Sequence, residues 1–444
     1  MSTGTLTRTP PVAIPRAGIA LRGKPSTLLM LTGLWLVLAY AAVAQGGFYR
    51  AQAVFAAAVL VLLATAAGPR VWRGALLPSL GLGVLAFGLA GSIAAGGWHP
   101  EATLPVAALA CAAGAFAVGR AAVRRGERAA VLRAMVVVGV GLAAAGIAGV
   151  ALHVEPLAMR ATGLWRAASS ITYANGLAAV LVLCLPAALV APRGVVQRGS
   201  AFVILTGLAA TASRGGLLAG LVLAGSLVAF GGRALVASAI RPAIGAMAAV
   251  MGLVPSLSGH QPRPMMALAG VLIGAAIALP RRLPRVAWVL IALAAVLALA
   301  GPARSLMGIR GQRLVESRVT TPDPREVSWR QALDHGMERP VFGQGPGRFT
   351  SNASLFAHNE YLQIFAETGA VGLASVLVAI GLCVAWAVRR RPSGEERVVW
   401  ACGVAAGAAF LIHGGVDFVW RFPLSVILVF LWLAVAGTRP KETR

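Results

Sequence analysis

The chain repeatedly presents apolar runs of about 20 residues, the length that a helix needs to cross a bilayer. A spanning segment must satisfy its own backbone hydrogen bonds, and a continuous apolar run does so by forming a helix. The composition agrees, with 58% hydrophobic and 12% charged residues and a mean hydropathy of +0.80. The sequence therefore predicts an all-α, polytopic integral membrane protein.

We expect about 12–14 transmembrane helices. The apolar runs place the candidate spans near 27–44, 51–67, 75–95, 102–119, 130–152, 174–191, 200–212, 215–231, 243–256, 265–280, 286–301, 359–388, 398–413 and 423–437. The stretch 200–231 could instead form one bent helix or a re-entrant pair, and 243–280 is a second pair of doubtful runs.

The formal net charge of +25 comes mostly from arginines in short loops between the apolar runs. In a soluble protein this charge could indicate nucleic-acid binding, but here it orients the helices by the positive-inside rule. We therefore expect no nucleic acid among the partners. Loops on one side hold most of the positive charge if the N-terminus lies in the cytoplasm, which predicts that both tails are cytoplasmic.

The expected organisation has five parts. They are a cytoplasmic tail at 1–26, helices over 27–301, a large outer loop with short helices at 302–358, the last helices over 359–437 and a cytoplasmic tail at 438–444. The first tail has no apolar core of its own, so the first spanning helix serves as the targeting signal and no cleavage is expected.

Residues 323–373 are the only long stretch that is not almost wholly apolar. Asp323, Pro324 and Glu326 are typical of a helix start, and Pro340 ends that helix. Any chemistry is expected in this stretch because it is where polar groups gather outside the membrane.

Three glycines follow the short helix, at Gly343, Gly345 and Gly347, and suit a tight loop whose backbone can approach a ligand closely. His358 and Asn359 then precede a long apolar run. The histidine is thus expected at a helix N-terminus, where free N–H groups favour anions and where an imidazole could act as a base.

Several residues at the outer surface carry further polar chemistry. Arg214 lies in TASRGG between two runs that barely span, so it should face a cavity, partner or ligand, unless it snorkels to lipid headgroups. Arg160 and Arg166 add positive charge to the same surface. Asn175 stands at a helix start and could cap it or bind a polar ligand.

The acidic side chains near the outer edge have open roles. Glu360 and Glu367 lie seven residues apart and project from a similar helix face, and Glu367 could be scaffold or site. His413, Asp417 and Arg421 could form a supporting cluster, for which a structural ion pair is the favoured interpretation.

No metal or cofactor is expected. The four cysteines lie inside apolar runs without Cys-x-x-Cys spacing, and the histidines show no metal-site spacing. The sequence also has no Asp-x-Asp pair that could hold Mg²⁺ on a diphosphate. Arginine binds phosphate in a bidentate way, so arginines at a membrane surface could bind a lipid diphosphate directly.

Four segments in order resemble the O-antigen ligase and O-antigen polymerase superfamily of bacterial membrane glycosyltransferases. They are RATG through YANGLA, TASRGG, Arg325-x-x-x-Trp329 with Pro340-x-x-Gly343-x-Gly345, and AHNEYLQIFAETGAVGL. The last is similar to the family's His-Asn-x-x-Leu followed by Glu-x-Gly-x-x-Gly-Leu. These segments span residues 160–373.

The resemblance implies a GT-C-type helical fold in the bacterial inner membrane with the active site facing the periplasm. The family moves a glycan from undecaprenyl diphosphate to a hydroxyl, with inversion and without a metal. By this resemblance, Arg214 and Arg325 bind the diphosphate and His358 activates the acceptor. Asn359, Asn175, Arg160, Glu367 and Gly345 are expected as supporting residues.

The leading hypothesis is a ligase that joins a lipid-linked glycan to a glycolipid such as lipid A core. A polymerase extending the same glycan shares every motif, and a protein O-glycosylating relative is a further, less favoured reading. A transporter or transport-associated protein is the alternative from another class. A transporter should show polar groups at the bilayer midplane and internal symmetry, whereas here the polar residues gather at one surface without a visible repeat.

Overall fold

The computed structural model describes residues 25–161, 163–190, 194–279, 324–394 and 396–439. These ranges contain fourteen α-helices and one two-stranded sheet. In chain order the elements are α1 (Pro25–Val43), α2 (Arg50–Ala67), α3 (Leu76–Gly96), α4 (Thr103–Arg124), α5 (Arg128–Leu152), β1 (Ala158–Ala161), β2 (Leu164–Ala167), α6 (Ala174–Val190), α7 (Val195–Ala210), α8 (Arg214–Phe230), α9 (Arg233–Ser258), α10 (Pro264–Ala278), α11 (Pro324–Glu338), α12 (Glu360–Arg389), α13 (Glu396–Gly414) and α14 (Pro423–Gly437).

The predicted all-α, polytopic class is confirmed. In the described ranges, eight helices are long and apolar enough to cross a membrane, and α6, α7, α8, α10 and α14 are shorter apolar helices. Each of these coincides with a predicted span. The remaining predicted span, 286–301, lies outside the described residues, as do residues 1–24 and the first part of the predicted loop, 302–323.

Both doubtful stretches form pairs of separate helices. A turn at Thr211–Ser213 divides α7 from α8. The backbones of α9 and α10 touch, because a Cβ atom built on Gly252 would lie only 2.6 Å from the Cα atom of Gly270. Glycine at these positions therefore permits a close helix hairpin.

Three helix ends differ from the prediction by five residues or more. α7 begins at Val195 rather than near 200. α9 begins at Arg233 rather than near 243. α4 continues to Arg124, past the predicted end at 119, so Arg120 lies inside the helix and is buried rather than in a loop. The aromatic rings of Phe116 and Trp386 flank its guanidinium group and make that burial possible.

The helix α6 is the centre of the bundle. All of its residues are buried, and it packs against α5, α7, α8, α13 and α14. The long apolar run without polar interruption explains this position, since a helix that is hydrophobic all round must be enclosed. The N-terminus of α6 lies at one end of the bundle, which we call the site end.

The glycine loop after α11 is built into a break in α12. Gly369 has φ 64° and ψ −165°, which interrupts the helical hydrogen bonds. The freed N–H groups of Ala370 and Val371 donate to the carbonyl oxygens of Pro340 and Val341, at 2.7 and 3.1 Å. In return, the loop N–H groups donate to helix carbonyls, for example from Gly345 to Glu367 at 2.8 Å. The expected tight loop is thus present and fixed, and α11 ends before Pro340 as predicted.

We predict that Gly343→Ala destabilises the fold more than Gly394→Ala. Both glycines have positive φ, at 70° and 63°, which costs an alanine about 1–2 kcal/mol. A Cβ atom on Gly343 would also lie 2.4 Å from the backbone of Glu367, whereas Gly394 has no atom within 4 Å. Overpacking of this kind adds about 1–3 kcal/mol.

Thermal unfolding of the two purified variants in the same detergent measures the difference. Equal losses in melting temperature would show that the glycine loop does not dock on α12 as described.

Candidate active site

A buried carboxylate is the centre of the polar groups at the site end. Asp417, in the turn between α13 and α14, is 1% exposed. The Tyr173 hydroxyl donates to it at 2.9 Å, the Phe418 N–H group donates at 2.9 Å, and the Asn175 side-chain amide also donates. A buried charge requires such donors, because a carboxylate that loses water and gains no partner is very costly.

Hydrogen bonding keeps Asp417 ionised. Burial by itself raises the pKa of this carboxyl, but the hydrogen bonds and charge of His358 and the donors Phe418 N–H and Tyr173 outweigh it. The pKa of Asp417 is therefore lowered. Burial and the neighbouring carboxylate raise the pKa of Tyr173 well above its ordinary value, so this side chain stays a phenol and donates.

His358 contacts this carboxylate directly. Its Nδ1 atom lies 3.1 Å from Asp417 Oδ1, and the side chain is 20% exposed. The ring also meets the edge of Phe418, with 5.0 Å between centroids. His358 Nε2 lies 3.1 Å from the Ser354 hydroxyl. The imidazole is thus held between a carboxylate and a hydroxyl, which is an arrangement suited to general-base chemistry.

The predicted position of His358 at a helix start is confirmed. Asn359 is the N-cap of α12, and its side-chain oxygen accepts hydrogen bonds from the N–H groups of Tyr361 and Leu362 at 3.0 and 3.1 Å. Asn359 therefore anchors the helix that carries His358. His358 itself has φ 52°, which turns its side chain away from the helix and toward Asp417.

Two arginines join the cluster from distant parts of the chain. Arg325, in the first turn of α11, has Nη2 3.9 Å from Asp417 Oδ2 and is 43% exposed. Arg166, on β2, donates to Asn175 Oδ1 at 2.6 Å and to the carbonyl oxygen of Thr211 at 2.8 Å. Asn175 thus bridges Arg166 to Asp417 and does not cap α6.

Arg214 lies at the first position of α8, where its side chain is exposed. The Ser213 hydroxyl caps this helix by accepting from Gly216 N–H at 3.0 Å. Burial lowers the pKa of Arg166, and the nearby positive charges of Arg325 and Arg214 lower it further. These three arginines therefore share one electrostatic environment, in which Arg214 is exposed and Arg325 is partly exposed.

Arg160 lies on the other face of the ribbon. In the antiparallel pair, Arg166 stands opposite Met159 and Arg160 stands opposite Trp165. Side chains alternate along a strand, so Arg160 and Arg166 point to opposite sides, and Arg160 is exposed. The sequence singled out Arg160, whereas the structure brings Arg166 to the cluster.

A second buried carboxylate, Glu367, organises the glycine loop. It forms an ion pair with Arg421 at 2.5 Å and accepts from Gln363 Nε2 at 2.6 Å and from Gly347 N–H at 2.7 Å. Burial lowers the pKa of Arg421, but Glu367 and Glu360 raise it above its ordinary value. These contacts make Glu367 a support for the loop that also contains Gly345.

The suggested cluster of His413, Asp417 and Arg421 is wrong as a set. Asp417 pairs with His358, and Arg421 pairs with Glu367. His413 is buried, with no hydrogen-bond partner at either ring nitrogen within the described residues. Sequence order misled here, because the turn after α13 points these neighbouring side chains in different directions.

The arrangement defines a multi-pass membrane protein with a histidine–carboxylate pair and phosphate-compatible arginines at one end. In the described ranges, no group of three or more His, Cys, Asp or Glu side chains could hold a metal ion. The structure thus brings Arg325, His358 and Asn175 together, places Arg214 beside them and leaves Arg160 outside.

A family model described as O-antigen ligase (Wzy_C) matches residues 262–377. The match confirms the resemblance to the O-antigen ligase and polymerase superfamily and supports a function of that general type, with a lipid-linked glycan and a membrane context. It covers Arg325, His358 and Glu367. No curated protein matches the chain.

We predict that Tyr173→Phe lowers the free energy of unfolding by about 1.5–3 kcal/mol, the cost of losing a hydrogen bond to a charged acceptor. The ring should keep its stacking on Phe418, at 4.8 Å between centroids. Tyr361→Phe is the matched control, because that hydroxyl donates to the neutral carbonyl of Leu411 at 3.1 Å. This variant should lose about 0.5–1.5 kcal/mol.

Chemical unfolding of both variants in one detergent compares the two hydroxyls. A loss for Tyr173→Phe no greater than that for Tyr361→Phe would contradict the role of Tyr173 in holding the buried carboxylate.

Proposed function

We propose that the chain is an O-antigen ligase-like glycosyltransferase that moves a glycan from undecaprenyl diphosphate to a hydroxyl acceptor such as lipid A core. The observation that carries this proposal is the His358–Asp417 pair, with 3.1 Å between Nδ1 and Oδ1, beside arginines that suit a diphosphate. The family match supports the general type of reaction.

In this proposal His358 is the general base. Asp417 remains ionised and accepts the Nδ1–H hydrogen bond, which makes Nε2 the ring nitrogen that accepts a hydrogen bond and then a proton. The Ser354 hydroxyl, 3.1 Å from Nε2, shows that a hydroxyl fits at this atom. The acceptor hydroxyl takes an equivalent position and loses its proton to Nε2.

The acceptor oxygen then attacks the anomeric carbon opposite the diphosphate. A new carbon–oxygen bond forms, the bond to the diphosphate breaks, and the anomeric configuration inverts. Undecaprenyl diphosphate leaves with the electron pair, and the proton stays on His358. Asp417 stabilises the imidazolium ion that results.

Arginines neutralise the leaving group in this proposal. Arg325 and Arg214 are exposed and bind the diphosphate oxygens. Arg166 is fixed by Asn175 and Thr211, so it adds positive potential behind them. The supporting roles fall to Asn359 as the helix cap and to Glu367 as the anchor of the glycine loop.

The proposed placement follows from the same geometry. His358, Arg214 and Arg325 meet at the site end, where the loop 302–358 joins α12. We assign this end to the periplasmic side of the bacterial inner membrane and both tails to the cytoplasm, because the positive charge of the short loops lies at the other end. The helices on both sides of that loop would form a GT-C-type fold.

We predict that His358→Ala lowers glycan transfer by about 10²–10⁴-fold and preserves binding of undecaprenyl diphosphate, because a base acts on the acceptor. His260→Ala is the control, since His260 is an exposed histidine outside the cluster. Transfer is measured with purified protein in liposomes, and lipid retention is measured by native mass spectrometry in nanodiscs, against undecaprenol as the lipid without phosphate.

Arg214→Ala and Arg325→Ala should lose this selective retention, whereas Arg263→Ala, an exposed arginine elsewhere, should keep it. Equal retention of undecaprenyl diphosphate and undecaprenol by every variant would contradict the proposed arginine site. It would favour the transporter alternative, in which neither glycan transfer nor lipid retention depends on these residues.

A polymerase would use the same histidine and arginines, so the identity of the acceptor distinguishes a ligase from a polymerase. We predict that lipid A core added to the liposomes receives the glycan in one step, which shifts the acceptor by one block on a gel. A ladder of longer glycans on undecaprenyl diphosphate, formed without lipid A core, would instead identify a polymerase.

A further inference from the structure

Five arginines gather at the end of the bundle opposite the candidate active site. The set, which we call the basic cluster, comprises Arg70, Arg73, Arg120, Arg124 and Arg390. They come from the turn between α2 and α3, from the last turns of α4 and from the residue after α12. The helices α4 and α12 both begin at the site end, so their C-terminal ends lie at the far end.

The backbone of residues 70–74 holds the side chains of three members of the cluster in place, those of Arg120, Arg124 and Arg390. The carbonyl oxygen of Arg73 accepts from Arg120 at 2.8 Å and from Arg124 at 2.7 Å, and Arg124 also donates to the carbonyl oxygen of Arg70. The carbonyl oxygen of Gly74 accepts from Arg390 at 2.8 Å. Three guanidinium groups therefore converge on one short turn.

Carbonyl dipoles hold these cations but do not neutralise them. In the part of the chain that the structure describes, none of the ion pairs includes a member of the basic cluster, and Glu396, at the start of α13, pairs with Arg128. Arg120 is 2% exposed, and its Nε and Nη1 atoms have no hydrogen-bond partner there. A buried cation beside two others leaves a strong positive potential at this surface.

Apolar surface borders the cluster on both sides. Leu76 and Leu80 on α3 are 68% and 48% exposed, and Val384 and Val388 on α12 are 51% and 60% exposed. Val384 and Val388 also line a cleft of about 460 Å³ that runs along α12 between α4, α13 and α14. A soluble anion would leave this apolar surface uncovered, whereas the acyl chains of a lipid would cover it.

We propose that the basic cluster is a binding site for an anionic phospholipid of the leaflet that faces away from the candidate active site. The phosphate contacts the exposed side chains of Arg70 and Arg73 and the half-buried guanidinium groups of Arg124 and Arg390, and it neutralises the buried Arg120 without touching it. The acyl chains lie along α3 and α12. This site is separate from glycan transfer and does not depend on the proposed function.

The test measures lipid retention by native mass spectrometry of the full chain. Phosphatidylglycerol and cardiolipin are the anionic probes, and phosphatidylcholine is the zwitterionic reference. Arg124→Gln and Arg390→Gln should each weaken retention of the anionic probes about fivefold, and the double variant about twentyfold. Arg233→Gln removes one exposed charge at the same end, outside the cluster, and should change retention less than twofold.

Equal weakening by Arg233→Gln and Arg390→Gln would overturn the proposal, because it would show general attraction to a positive surface. Displacement of the anionic lipids by millimolar inorganic phosphate would overturn it in favour of a soluble anion site. If the variants do not fold, a salt titration of the wild-type protein still tests the proposal.

Raising the salt concentration from 0.05 to 0.5 M should release the anionic probes and leave phosphatidylcholine bound. Equal release of both kinds of lipid would contradict a charged site.

Discussion

The buried carboxylate of Asp417 is the constraint on which the site end depends. A charge in this position is stable only with several donors, and the chain supplies them from separate elements: Tyr173 and Asn175 at the start of α6, and His358 before α12. Satisfying one carboxylate therefore fixes where several elements meet. In the proposed mechanism the same carboxylate orients the base, so stability and chemistry rest on one group.

Glu367 performs a different task with similar chemistry. Its partners are Arg421, Gln363 and a loop N–H group, and all of them hold backbone in place. The break in α12 at Gly369 is tolerated because the loop after α11 satisfies the hydrogen bonds that the helix gives up. In the proposed mechanism Asp417 thus orients the base, whereas Glu367 supports the glycine loop after α11.

The two ends of the bundle use arginine in different ways. At the site end Arg325 and Arg421 lie beside carboxylates, and Arg214 and Arg325 keep exposed side-chain surface. At the far end they converge on backbone carbonyls without a carboxylate partner in the described ranges. The positive-inside rule accounts for how many arginines lie at that end, but it does not account for their convergence. The proposed lipid site at the far end rests on this convergence of guanidinium groups.

Much of the fold was open to prediction from the sequence, because hydropathy is a local property. The apolar runs located most helices within about five residues, although α9 begins well before its predicted span. Asn359 and Pro340 marked where helices start and stop, and the family motifs singled out His358, Arg325 and Arg214. The burial of Arg120 was missed, because the helix that contains it continues beyond its most apolar part, and the ring of Trp386 from α12 covers its guanidinium group together with that of Phe116.

The site itself was only partly predictable. His358 and Asp417 are 59 residues apart, and Asn175 and Asp417 are 242 residues apart, so no local pattern relates them. Arg166 rather than Arg160 joins the cluster because of the pairing register of a short hairpin that hydropathy does not reveal. The helices, the charge asymmetry and the family motifs follow from local composition and residue order. Which polar side chains meet depends instead on how the helices pack around α6, and that packing is a property of the folded chain.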